Sequence, residues 1–558
     1  MTNDIQTVLE YHERTKHHVD RYARSLGYMD WATQPDPFRR YEGAPTVVLD
    51  EISLEAGPRY DRVFELEGPA PRDLDHGFIS QLFYDSLSLS AWKVHQDSRW
   101  SLRVNPSSGN LHPTEAYLVA GAIPGVHERP SVSHYQAFEH VLERRTELPA
   151  HAWGAVAQQL PRGSVLVGLT SIYWRESWKY GERAFRYCQH DAGHAIGALT
   201  IAAAVLGFEA RLLESVLDED LAVLLGVRAQ EGIEAEHPDC VLVLYPRTEE
   251  FSLDRQRSFH VPADLLETLE AQPWAGQPNG LSRQHHAWPI IDQVSGACRR
   301  SERPNTSFWA PRPGPRPAPL SIDRPIGARQ VIRQRRSAVA MDGATTIGRD
   351  QFYRIMQRAD PGLTRMPFAV LPWRPFVHLV LFVHRVEGLV PGLYLLVRAG
   401  DETDAIRASC GRPFAWERAE ACPPGLDLFL LAHADCRDAA RTICCHQDIA
   451  ADGCFAVGML ARYEDPIREH GPWMYKRLFW ETGVVGQVLY LEAEAASTQT
   501  PSGARPIRST GIGCYFDDAL HRVLGIRDRR FQSLYHFTVG GPVEDPRLQT
   551  HPAYAHRG

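Results

Sequence analysis

Two stretches of this chain gather polar groups beside conformationally special residues, and any chemistry is most readily sought there. The first is Arg103-Val104-Asn105-Pro106-Ser107-Ser108-Gly109-Asn110-Leu111-His112-Pro113-Thr114-Glu115, which runs directly into the apolar stretch Ala116-Tyr117-Leu118-Val119-Ala120. Pro106 and Pro113 fix the backbone, Gly109 permits a left-handed or close-approach conformation, and Ser107, Ser108 and Asn110 offer donors and acceptors to a ligand. On composition alone the same residues also describe an ordinary turn before a strand. The second stretch is Arg333, Arg335 and Arg336, a cluster able to hold a single phosphate, with a solvated helix face as its alternative. A third pattern, His190-Asp191-Ala192-Gly193-His194, sets two histidines four apart on one helix face, with Asp191 where a zinc-protease helix carries its catalytic Glu. Asp is one methylene shorter and no third ligand follows at a fixed spacing, so helix packing accounts for both histidines and no metal is assigned.

The elements that must position these groups belong to a long chain. With 558 residues, 44% hydrophobic and 23% charged, it has enough apolar material for two sizeable cores. A formal net charge of -8 argues against a general polyanion partner, so nucleic acid is excluded as the expected ligand. No apolar run is long enough to span a bilayer and Met1-Thr2-Asn3-Asp4-Ile5 begins no signal segment, which predicts a soluble, cytoplasmic protein without a membrane partner. The ten cysteines show no C-x-x-C spacing and are expected to be buried thiols rather than disulfides or zinc ligands.

Along the chain, residues 1 to about 75 read as a covering arm, followed by a helix from His76, a central strand over 115–121, a second strand over 165–170 and a long apolar helix over 184–206 closed by Gly207. A helix over 217–227 and a strand over 240–245 complete the first half. The proline-dense segment 296–326 is expected to be a semi-rigid linker. After it the plan repeats: a helix over 328–336, strands over 376–383, 392–397 and 426–432, a long helix over 473–495, then Gly511-Ile512-Gly513-Cys514 and a strand over 533–539. Leu225-Gly226-Val227-Arg228 and Leu524-Gly525-Ile526-Arg527 fall at matching places, which suggests a divergent internal duplication. The domains are therefore set at 1–295 and 327–558, joined by the linker 296–326.

Pro106-Ser107-Ser108-Gly109-Asn110-Leu111-His112-Pro113 resembles the flavin-flanking loop of the FMN-dependent nitroreductase superfamily. With the following Thr114-Glu115, and with Tyr11-His12-Glu13-Arg14-Thr15-Lys16 and Asp30-Trp31-Ala32-Thr33-Gln34-Pro35-Asp36-Pro37-Phe38, it is more narrowly similar to the SagB-type dehydrogenases, which oxidise thiazolines and oxazolines in modified peptides. The resemblance implies an α+β fold of two nitroreductase-like domains fused as an intramolecular pseudo-dimer, copying a homodimer whose flavins lie in the interface. It implies FMN as cofactor, its phosphate held by Arg335, Arg336 and Ser337 of the second half, and its ring beside Pro106, Ser107, Ser108 and Asn110 of the first. Gly511, Ile512 and Gly513 match the family's backbone approach to the ring. The family signature's last Arg is Val339 here, and Arg547 is expected to replace it. The first half lacks the arginine signature and the second has Met366 to Pro375 where the loop should be, so one competent and one decayed site are expected. Lys179-Tyr180 matches the pair that removes a proton in the azoline-oxidising branch. A lysine snorkelling beside Trp178 at a helix start is the plain alternative.

These readings together point to an FMN-dependent oxidoreductase that takes two electrons from an organic, peptide-derived or other natural-product substrate. An NAD(P)H-dependent nitro or quinone reductase is the alternative within enzymes, and a non-catalytic scaffold of a biosynthetic complex the alternative outside them.

Overall fold

Alternation is absent from the central strands: Thr114–Ala120, Val165–Ser171 and Val377–Val383 are buried along their whole length. Strands of this kind need cover on both faces, and their near-continuous apolar character follows from that. The computed structural model describes residues 2–55, 57–65, 67–302, 325–500 and 503–557. Most of the expected linker lies outside the described residues.

The first half begins with helix α1 (Thr2–Arg14), strand β1 (Thr46–Val48) and helix α2 (His76–Tyr84), then the hairpin β2 (Leu89–His95) and β3 (Ser98–Arg103). It continues through β4 (Thr114–Ala120), β5 (Ser131–Gln136), β6 (Val141–Glu147), β7 (Val165–Ser171), α3 (Tyr173–Tyr180), the long helix α4 (Ala184–Val205), β8 (Phe208–Leu212), α5 (Asp218–Leu224) and β9 (His237–Pro246). The second half has α6 (Ala328–Gln334), α7 (Arg349–Ala359), β10 (Val377–Val383), β11 (Gly392–Leu396), β12 (Glu417–Arg418), β13 (Leu428–His433) and β14 (Phe455–Arg462). After these come the long helix α8 (Met474–Ala495), β15 (Arg508–Ile512), α9 (Asp517–Leu524), β16 (Phe531–Gly540) and β17 (Gln549–His551).

Two seven-stranded antiparallel sheets result, ordered β1-β6-β5-β4-β7-β9-β8 and β12-β13-β11-β10-β14-β16-β15. Position by position the two orders correspond: β4 with β10, β7 with β14, β8 with β15, α5 with α9. The two Leu-Gly-aliphatic-Arg tetrapeptides end those short helices, with Gly226 and Gly525 at φ 70° and 76°, the left-handed turn that glycine accepts without strain. This is an α+β arrangement of two matching antiparallel sheets. The halves also exchange chain: β17 pairs with β2 in a three-stranded sheet, and α1 carries His12 to within 3.3 Å of the Tyr475 hydroxyl.

Helices α4 and α8 are buried almost throughout and cross where Gly193 meets Gly483. A Cβ on Gly193 would stand 2.4 Å from the Trp480 carbonyl oxygen, and one on Gly483 would stand 2.4 Å from the His190 carbonyl oxygen. The backbones can touch only because neither position carries a side chain. Several boundaries depart from the sequence reading. Helix α6 stops at Gln334 rather than 336, and β14, Phe455–Arg462, was not anticipated; its Gly458 leaves room for Leu520 as Gly168 of β7 does for Leu225.

Gly→Ala within a helix ordinarily gains about 1 kcal/mol. Because Gly193 faces backbone rather than a yielding side chain, Gly193→Ala is expected instead to lose about 1–3 kcal/mol in denaturant unfolding. An unchanged midpoint would show that the crossing tolerates the extra methyl.

Candidate functional site

The polar loop leaves β3 and is held from three sides. Asn110 Nδ2 donates to the Ser101 carbonyl at 2.8 Å, the His112 N–H donates to Ser107 Oγ at 2.8 Å, and the Ser108 N–H and hydroxyl both donate to Asp191 Oδ1 at 3.1 Å. Asp191 of the histidine-flanked pattern is thus a loop anchor on α4. Burial lifts its carboxyl to about 7, against the hydrogen bonds from Ser107 and Ser108. Gly109, at φ 61°, is required because a Cβ there would lie 2.6 Å from the Tyr180 hydroxyl. His190 and His194 face the core: His190 stacks on Tyr535 with ring centroids 3.9 Å apart, and His194 Nε2 lies 3.3 Å from the Tyr535 hydroxyl.

Behind the loop, Arg175 donates to the His112 carbonyl at 2.8 Å and pairs with Glu115, which also meets His134 at 3.1 Å. Although burial opposes it, Arg175 and His134 hold Glu115 down to about 2. Also against burial, hydrogen bonds to Glu115 and Glu143 lift His134 to about 9.

The arginine cluster enters from the other half. Because α6 ends at Gln334, Arg335 adopts extended backbone (φ -50°, ψ 129°) and the following residues leave the helix line. Arg333 is spent on structure, stacking over Tyr84 at 3.8 Å and donating to the carbonyls of Tyr84 and Leu89. Arg335 Nη2 donates to the Arg103 and Val104 carbonyls, both at 2.8 Å, so it ties the second half to the start of the loop. Arg336 donates only to carbonyls, those of Arg333, Arg335 and Ser90. Burial, then repulsion from Arg335, Arg333 and Arg508, pushes Arg336 down to about 9. Arg508 on β15 meets Glu544 at 3.3 Å. Among the described residues, the buried Nε atoms of Arg335 and Arg508 have no hydrogen-bond partner.

Loop and cluster face one cavity of about 480 Å³, within the roughly 300–1,000 Å³ of small-molecule sites. Pro106, Ser107, Ser108, Asn110 and Tyr180 line it from the first half, and Arg335, Arg336, Ser337, Gly511, Ile512 and Gly513 from the second. Lys93, Arg103, Arg335, Arg336 and Arg508 supply positive charge to this wall, against Glu544 and Asp545. Cations with so few counterions, and donors left unpaired, suit a multiply charged anion. Tyrosines flatten the remainder. Tyr180 and Tyr187 lie 4.3 Å apart, Tyr187 donates to the Gly513 carbonyl, and the Tyr490 hydroxyl approaches Ser337 at 3.0 Å while accepting from the Gly511 N–H at 2.9 Å. A Cβ on Gly511 or Gly513 would strike Tyr535 or Tyr187 at 2.5 and 2.4 Å.

Lys179 is not on the cavity wall. Its Nζ lies 5.2 Å from the Tyr180 ring centroid and 3.2 Å from where a Gly109 Cβ would stand. The pair occupies the last turn of α3, not a loop or first turn, and Gly181 at φ 56° ends that helix. Arg547 is a correction: its side chain is 74% exposed, binds Asp545 two residues away, and lies off the cavity, where Arg508 stands instead. Val339 does line the mouth. Sequence reasoning missed Arg508, Tyr187, Tyr490 and Tyr535, single residues on strands and helices that no local pattern marks.

The topologically equivalent place in the other pairing of halves is nearly filled by side chains. There Phe64, Thr200, Glu209, Arg211, Arg365 and Met366 surround a void of about 40 Å³. Glu209 fills the polar side by binding Arg211 at 2.7 Å and Arg365 at 3.0 Å.

Two outcomes test this geometry. Arg336→Ala or Arg508→Ala should weaken binding of inorganic phosphate by on the order of 10-fold in calorimetry, the worth of one charge-assisted contact, while Arg547→Ala should leave it unchanged. His134 is protonated more readily folded than unfolded, so its contribution is complete below about pH 6.5 and is lost as pH rises through about 9. The stability difference between the natural chain and His134→Gln should shrink across that window in thermal unfolding.

Comparison with known proteins agrees with the architecture. Residues 90–242 match the Nitroreductase family model. A crystal structure of a candidate nitroreductase from Anabaena variabilis is similar over 96% of this chain and 99% of its own, at 20% identity and TM-score 0.65. One from Ralstonia eutropha covers 40% of this chain and 96% of its own at 12% identity and TM-score 0.26. The E. coli microcin synthetase McbBCD complex has a chain covering 44% of this one and 93% of its own at 15% identity and TM-score 0.26. No curated protein matches. The chain therefore has a nitroreductase-like α+β fold, with a Nitroreductase family segment spanning 90–242.

Proposed function

We propose that this chain is an FMN-dependent oxidoreductase of the SagB type, holding one FMN in the cavity between its halves and removing two electrons from an organic, peptide-derived or other natural-product substrate. One observation carries the reading: a loop from one half and an arginine–serine cluster from the other share a single cavity of about 480 Å³. In the same reading, 1–295 and 327–558 are two nitroreductase-like domains fused as a pseudo-dimer across the segment 296–326, supported by their matching strand orders. The small volume of the equivalent void, about 40 Å³, supports a single working site.

The residues fit the cofactor. Arg336, Arg508 and Ser337 line the cavity and would supply donors to the phosphate, with Arg335 bracing the corner through the Arg103 and Val104 carbonyls. Pro106 to Asn110 and the tyrosines would flank the ring, and glycine at 511 and 513 leaves room for Tyr535 and Tyr187 on the same wall. When bound, the isoalloxazine supplies a two-electron acceptor. The protein excludes water with tyrosine and proline, and fixes the loop through Asp191. Burial, then the charge of Glu176, raises the Tyr180 phenol well above its ordinary range, so it keeps its proton and can relay one. Lys179, beside it, is the proposed proton acceptor when a substrate C–H or N–H bond is broken.

Purified protein should be yellow, with about one FMN per chain by absorbance. Arg336→Ala should lower FMN retention. Lys179→Ala should keep FMN and lose turnover by on the order of 100-fold or more, and unchanged turnover would remove it as the base. Anaerobic mixing with NADPH separates the readings further, since rapid bleaching would favour a reductase. A colourless protein that ignores added FMN would favour a scaffold.

A further inference from the structure

Cys514 lies on the cavity wall directly after Gly513, and its Sγ is 3.0 Å from Sγ of Cys445. Both are half-buried, whereas Cys444, next in the chain, is buried. Cys445 and His446 follow the helix Arg437–Ile443 with φ of 55° and 60°, a conformation that non-glycine residues hold only when their surroundings impose it. That turn brings Cys445 to the exit of β15. Gln447 clasps the two segments, its Nε2 donating to the Cys444 carbonyl at 2.8 Å and the Cys514 carbonyl at 3.0 Å. The Cys445 thiol and, against burial, the Arg183 guanidinium favour the thiolate of Cys514, the form that attacks a disulfide. The sequence reading expected buried thiols rather than disulfides or zinc ligands; both are free thiols, but only half-buried, and Cys514 stands on the cavity wall.

We propose that Cys445 and Cys514 form a redox-active dithiol/disulfide couple on the cavity wall, passing two electrons from the reduced cofactor to a small-molecule disulfide. The half-burial of both sulfurs selects a small oxidant. Only the electron source rests on the FMN reading; the couple itself does not. Discharge breaks the Cys445–Cys514 S–S bond, which takes up two electrons and two protons to give two thiols; a bound, fully reduced flavin would supply both. Recharging reverses the change at the sulfurs. The Cys514 thiolate attacks the external disulfide and expels one thiol, then Cys445 attacks the mixed disulfide, expels the second thiol and restores the internal bond.

The first test needs no flavin. Full-length protein is equilibrated with mixtures of oxidised and reduced glutathione, quenched in acid, alkylated, digested and weighed. A Cys445–Cys514 cross-linked peptide lacking two hydrogens should grow with the oxidised fraction in the natural chain and in Cys444→Ser, and be absent from Cys445→Ser and Cys514→Ser. Full alkylation of both thiols at every ratio, or a cross-link formed through Cys444, overturns the couple. In the second test the cross-linked protein carrying FMN is reduced anaerobically by one equivalent of dithionite. Flavin absorbance should return as two thiols appear, and this return should be lost in Cys514→Ser. Bleached flavin that persists beside an intact cross-link overturns the electron outlet. A protein that cross-links yet retains no FMN overturns the cofactor reading and the outlet with it, and leaves the disulfide couple standing.

Discussion

The crossing of the two long helices at Gly193 and Gly483 sets the positions of everything that touches the cavity. Cβ atoms at these positions would stand within 3 Å of backbone on the opposing helix, so the distance between the halves is fixed by backbone contact and not by adjustable side chains. Asp191, two residues before Gly193, holds the loop. Tyr490, seven residues after Gly483, meets Ser337 and Gly511. The two walls are therefore set by one contact, and a shift there would move both.

Around that axis the halves are further joined by buried charge. Asp517, at the start of α9, binds Arg183, just before α4, at 2.9 Å and Arg186 of α4 at 2.6 Å, and accepts from the His17 N–H of the arm. Burial opposes its ionisation, but the two guanidiniums hold its carboxyl down to about 2. Lys476 of α8 reaches Asp218 of α5 at 3.0 Å in the reverse direction. Desolvated pairs of this kind add little net stability but penalise misalignment strongly, since separating one leaves an unpaired charge inside the protein. Together with the exchanged β17 and α1, they make the two halves one structural unit around the cavity.

The two faces of that unit differ. On one, cationic side chains are held by backbone carbonyls and keep unused donors, an arrangement that costs stability until an anion arrives. On the other, Glu209 satisfies the arginines internally and apolar side chains close the remaining space. Relieving the charge within the protein removes the demand for a ligand, and the same topology gives one roomy cavity and one that side chains nearly fill.

Much of this was legible in the residues themselves. Continuous apolar runs marked the central strands, Gly207 the end of α4, and the repeated Leu-Gly-aliphatic-Arg tetrapeptides the correspondence of the halves, because each reflects local backbone or burial requirements. The loop at 106–113 and the cluster at 335–337 were visible as patterns with plain alternatives. What they share was decided by tertiary structure: one cavity wall joins residues more than 200 positions apart, assembled by the helix crossing. Arg508, Tyr187, Tyr490 and Tyr535 could not be selected in advance, since their role comes from which strand or helix face turns toward the cavity. Arg547 was misassigned for the converse reason, its local pairing with Asp545 having removed it from the site. Cys445 and Cys514 are 69 residues apart and fit no spacing rule. Only the turn after Ile443, laid against the exit of β15, brings their sulfurs together.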